Sequence, residues 1–153
     1  MISKKLSDIR PKDLLFVILY AIVLPILFGV LLGLVDYYMR TLWSFTFASL
    51  LFWLIAINTG KMVRRQYKNP HIIYSIIACI GMLFAAVIIY TLPFYYAMNG
   101  VALGNLFDLR VYWSVFISVM NPLNWIANFS LDFAIWLIII VVGTYLGVKK
   151  TLH

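Results

Sequence analysis

The chain has 153 residues, 65% of them hydrophobic and 11% charged, with a formal charge of +7. A soluble domain carries charge on about a quarter of its residues, so this composition excludes an ordinary water-soluble globule. It also excludes a nucleic-acid module, which needs a basic face in water; here the cations sit in short gaps between long apolar runs.

Only segments that satisfy their own backbone hydrogen bonds can cross hydrocarbon. Covering roughly 30 Å at about 1.5 Å per residue takes about 20 apolar residues. The expected fold is therefore all-α: a polytopic membrane protein, one domain over 1–153, built as a bundle of four transmembrane helices. An external interfacial or re-entrant segment completes it, and no internal repeat or soluble domain is visible.

The first span is expected over 14–38, after Lys4, Lys5, Arg10 and Lys12. A signal-peptide core runs only roughly 7–15 residues, so this longer run reads as a retained helix. Gly29 and Gly33 form a GxxxG pair, with Pro25 one turn earlier on the same face as a static bend. Asp36 and Arg40, four apart at the outer end, read as a surface ion pair.

A short turn at 38–41 leads to the second span, 42–62, where Ser44 and Ala48 offer small surfaces. Asn58 and Thr59 are expected to close this helix, with Gly60 helping to end it. Gly60-Lys61 resembles the tail of a phosphate loop, but no strand and no spaced glycine precede it. Lys61, Arg64, Arg65 and Lys68 instead set topology and suit anionic lipid.

Asn69-Pro70 starts the third span, 72–96, which carries Ala78, Gly81 and Ala85. The lone Cys79 excludes an internal disulfide and reads as packing. The external segment, 97–130, contains an apolar stretch at 111–125 broken by Asn121, Pro122 and Asn124. A helix lying on the outer leaflet fits it, and so does a re-entrant hairpin. The fourth span is expected over 131–148, with Asp132 in its first turn and Gly143 and Gly147 in its later half.

Four spans put ten Lys and Arg residues on one side and leave Arg40 and Arg110 on the other. Both termini are then cytoplasmic. The lack of a eukaryotic targeting extension favours a bacterial inner membrane. Depth suggests that Gly29 and Gly33 pack against Ser44 and Ala48, and that Gly81 packs against Gly143.

Chemistry is sparse. There is no Glu, and no carboxylate lies mid-span, which lowers the expectation of an ion or proton pathway. His71 and His153 lack metal-site spacing. No catalytic, cofactor-binding or metal-binding residue is assigned, and no cofactor is expected. Asp36, Asp108, Arg110 and Asp132 share the outer boundary and form a candidate external site for a cation, a phosphate-bearing head group or a partner's charge.

The leading expectation is a non-enzymatic membrane subunit acting through assembly with itself or a larger complex. Its partners are the lipid bilayer and other membrane subunits, not nucleic acid. The alternative is an oligomeric transporter or channel lined by Ser44, Thr46, Asn58 and Thr59. A third reading is a membrane enzyme or lipid-handling protein that uses the outer Asp and Arg residues.

Overall fold

Long apolar runs with good helix formers become five helices among the described residues of a computed structural model. It describes residues 10–43, 48–99, 108–119, 121, 123 and 131–152. Helix α1 covers Pro11–Trp43, α2 Ala48–Arg64, α3 Ile72–Asn99, α4 Leu109–Val119 and α5 Leu131–Leu152. Among the described residues three stretches are long and apolar enough to cross a membrane: Pro11–Trp43, Ile72–Ala97 and Phe133–Leu152. Helix α2 is 17 residues long and lies along α5.

The helix ends differ from expectation. Helix α1 continues through the turn expected at 38–41 and includes Leu42 and Trp43. Helix α2 runs on past Asn58, Thr59 and Gly60 to Arg64. These three therefore do not terminate it; the Arg64 guanidinium and Gln66 amide close its last turn on the Tyr67 and Met62 carbonyls, at 3.0 and 3.1 Å. Helix α3 carries Pro93 in its interior, and α5 extends to Leu152.

One stripe of α1 faces inward: Val17, Ala21, Pro25, Gly29, Gly33 and Asp36 are all buried. Steps of three or four residues keep them on one helical face. The irregularity expected at Pro25 takes the form of a π turn over Leu19–Val23, in which the Leu24 N–H reaches back to the Leu19 carbonyl. Pro25 has no N–H, so the Ala21 carbonyl loses its α-helical donor.

That oxygen rests on Gly81 of α3, where any Cβ would overlap it. A weak Cα–H···O contact is what such an approach offers. Further along, a Cβ on Gly29 would stand 3.1 Å from the Ala85 backbone, and one on Gly33 would stand 3.0 Å from the Leu92 side chain. The residue numbers rise together, so α1 and α3 run parallel.

The second close pair is α2 with α5. A Cβ on Gly147 would stand 2.6 Å from the Ala56 carbonyl oxygen and equally close to the Met82 sulfur. A Cβ on Gly60 would overlap the Gly147 carbonyl, and one on Gly143 would meet the Phe52 ring at 3.1 Å. These helices are also parallel to each other.

This corrects the expected pairing. Gly29 and Gly33 pack on α3 rather than on Ser44 and Ala48, and Gly143 packs on α2 rather than on the Gly81 region. Ser44 lies outside the described residues, as does the side chain of Ala48. The reason is geometric: a glycine face seeks whichever neighbour has its small residues at the same height, and in neither pair is that neighbour the next helix in the chain.

Between the pairs the interior is closed by Ala21, Phe52, Ala56, Ala78, Met82 and Ala85, each 0–2% exposed. The outer surface is apolar too, with Leu15 and Ile138 both 63% exposed.

Gly81→Ala should push α1 off α3, because backbone, unlike a side-chain tip, cannot swing away. Its cost should be about 3 kcal/mol, at the upper end of overpacking effects, with Gly143→Ala nearer about 1 kcal/mol because a ring can tilt. Thermal unfolding of both variants in one detergent measures the difference.

Candidate functional site

Polar side chains collect at two ends of the bundle and leave the middle apolar. At the basic end, the 65–71 loop folds under the last turn of α5. Tyr67 stacks on Tyr74 at 4.5 Å between ring centres and donates its hydroxyl to the Thr151 carbonyl. The hydroxyls of Thr151 and Ser75 meet at 2.6 Å, and the Arg64 guanidinium lies 5.3 Å above the Tyr67 ring. Burial pushes the Tyr67 phenol above its ordinary 10.0, outweighing Arg64 and the Thr151 bond, which pull it down.

His71 is buried and accepts the Ile73 N–H on Nδ1 at 3.2 Å, capping α3. That bond puts the ring proton on Nε2, which is buried without a partner among the described residues. Of the expected basic residues, Lys61, Arg65 and Lys68 are exposed. Arg64 instead turns inward to the loop.

At the opposite end Asp36 and Arg40 pair at 2.9 Å. This is not the surface pair expected from their spacing. The Asp36 side chain is 4% exposed and that of Arg40 52%, because Asp36 continues the inward stripe of α1. Tyr37 and Tyr96 pack beside it, 5.7 Å apart.

Asp108 precedes α4, and its carboxylate accepts the Arg110 backbone N–H at 3.0 Å, an N-cap bond. Both residues are exposed. Asp132 is the second residue of α5, and its side chain lies outside the described residues. Asp36 belongs to the inward stripe of α1, whereas Asp108 caps α4 and Arg110 lies in its first turn.

Helix α4 settles along the side of α3 and not beyond its end. Tyr112 is buried in a cluster with Ile88, Leu92 and Tyr96, and the Trp113 ring is 6.5 Å from Phe84. Phe84 is 15 residues short of Asn99, about 22 Å down the helix. Ser114 and Ser118 face out and bond back to the Val111 and Val115 carbonyls at 2.8 and 2.7 Å. Asn121 is exposed and accepts the Leu123 N–H at 3.1 Å.

Under α4 lies a wholly apolar groove of about 370 Å³, walled by α3, α4 and α5. Sequence reasoning missed this groove and the Thr151 cluster, since each needs three segments to meet. The one available signal for the cluster was a threonine after Lys149 and Lys150, in a helix end that cations favour extending.

Among the described residues no three metal-ligating side chains converge. Set against known protein families, curated proteins and solved structures, the chain matches none.

Proposed function

We propose that the chain is a small non-enzymatic membrane subunit that acts by assembly, with itself or with a larger membrane complex. In this reading α1, α2, α3 and α5 all cross a bacterial inner membrane, and both termini are cytoplasmic. Three of the four helices have the length and apolarity to cross, and α2 is locked along α5 at Ala56 and Gly147. Helix α4 is re-entrant here, since Trp113 reaches the apolar middle of α3. The N-cap at Asp108 and the back-bonded serines meet the demand that backbone inside hydrocarbon be satisfied.

The observation that carries the subunit reading is the closed apolar interior. Ala56, Ala78, Met82 and Ala85 are 0% exposed, so the described residues of a single copy line no wet path from end to end. Among the described residues the hydrogen-bonded polar side chains at either end hold one another or the backbone, and none is a nucleophile beside a base. What remains is a broad apolar outer surface, with Leu31 57% and Val141 66% exposed, suited to contacts with other helices.

A conduit formed between copies is the second reading. Its specific support is the Thr59 hydroxyl, buried on α2 without a partner among the described residues, with the Thr144 hydroxyl likewise on α5. Asn58, by contrast, is exposed.

Extraction in mild detergent should yield a stoichiometric complex that survives dilution, and the purified chain should move no solute across liposomes. A monomer that conducts flux alone would reject the subunit reading. Orientation has its own check in a Cys79→Ser background. An impermeant thiol reagent outside intact cells should label Asp108→Cys and spare Lys68→Cys; the reverse pattern would overturn the topology.

A further inference from the structure

The contacts that close the basic end also gather charges that lie far apart in the chain. A Cβ on Gly60 would stand 3.0 Å from the Lys150 Cβ, so Lys61 and Lys150 lie at one height on adjacent helices. The Tyr67 hydroxyl bonds the Thr151 carbonyl, 84 residues away, which brings Lys68 of the loop to the same turn of α5. Lys61, Arg65, Lys68, Lys149 and Lys150 are all exposed. Among the described residues no carboxylate lies within ion-pair distance of any of them.

Helix α5 fixes their depth. Lys149 and Lys150 occupy its last turn, at the end of the membrane-length stretch Phe133–Leu152. The faces leading to these cations are apolar and exposed, at Val142 and Tyr145 on α5 and at Leu54 on α2. Steps of three, four and seven residues keep Val142, Tyr145 and Lys149 on one face of α5, and Leu54 and Lys61 on one face of α2. Surface suited to hydrocarbon thus runs straight into a level of five gathered cations.

We propose that the joined ends of α2 and α5 bind a glycerophospholipid whose head group carries two phosphates, with its acyl chains along those apolar faces. Like charges held together repel one another unless an anion sits among them. A head group with one phosphate leaves most of the five cations unneutralised. A soluble polyanion matches the charge but leaves the adjoining apolar faces unused. The site rests on α2 and α5 ending at a membrane boundary, as proposed above, and is independent of assembly.

Native mass spectrometry of the full chain in dodecylmaltoside, titrated with diphosphatidylglycerol, reads the bound fraction. Each cation near an anionic lipid surface is worth about fivefold in binding. Lys149→Gln combined with Lys150→Gln should therefore weaken binding about thirtyfold, and Lys61→Gln about fivefold. Phosphatidylglycerol, with one phosphate, should bind the parent chain about thirtyfold more weakly. Lys12→Gln removes the same charge from the same end, but from α1, whose first turns pack on α3; it should change binding by less than about twofold. All the substituted residues are exposed, and thermal unfolding in lipid-free micelles should match the parent in each variant. Micelles have no sides, so neither a reversed topology nor a failure to assemble alters these outcomes.

Equal weakening by Lys12→Gln and Lys61→Gln would mean diffuse attraction to the whole basic end and would overturn the site. Equal affinity for the two lipids would contradict the two-phosphate assignment. Displacement of the lipid by equimolar inorganic pyrophosphate would overturn the lipid assignment and give the patch to a soluble polyanion.

Discussion

At Gly81 the Ala21 carbonyl oxygen rests against Cα, and at Gly147 the Ala56 carbonyl does the same. In hydrocarbon these contacts take the place that apolar burial holds in water. Lipid tails are as apolar as leucine, so helices gain nothing by hiding leucine from them; they gain by bringing backbone close to backbone. Two such seams lock α1 to α3 and α2 to α5 as parallel pairs. Pro25 belongs to the first seam as much as the glycine does. It frees the Ala21 carbonyl, and the π turn before it absorbs the ring.

The remaining features follow from those seams. Tight approach of α1 to α3 carries Asp36 into the interior, with Arg40 reaching from the surface to neutralise it. Tight approach of α2 to α5 closes the middle of the bundle with Phe52, Ala56 and Met82. The other side of α3 is left for Tyr112 and Trp113 of α4, and the groove opens where α4 and α5 do not quite meet. At the basic end, Tyr67, Ser75 and Thr151 tie the loop to the last turn of α5.

Much of this was legible in the sequence. Apolar runs marked each long helix, and the glycines marked faces that pack closely. What they did not mark was the partner. A GxxxG pattern says that something comes near, and pairing by expected depth led to α1 with α2. The helix ends were misplaced for a similar reason: Gly60 reads as a terminator in isolation, yet inside α2 its missing side chain admits Gly147. The burial of Asp36 was readable, since it continues the spacing of Pro25, Gly29 and Gly33. The groove was not, because Phe84, Trp113 and Trp136 lie on three helices whose apposition no local pattern encodes.

The parallel pairing is the claim on which the account stands. A Cβ built on Gly29 lies 3.4 Å from the Cβ of Ala85, close to the separation a disulfide requires, about 3.5–4.5 Å. In a Cys79→Ser background, Gly29→Cys with Ala85→Cys should oxidise to an intramolecular crosslink, detected as intact mass lowered by two hydrogens. Gly29→Cys with Ala48→Cys should remain reduced under the same conditions. A crosslink in the second protein and none in the first would return α1 to its chain neighbour and contradict the architecture.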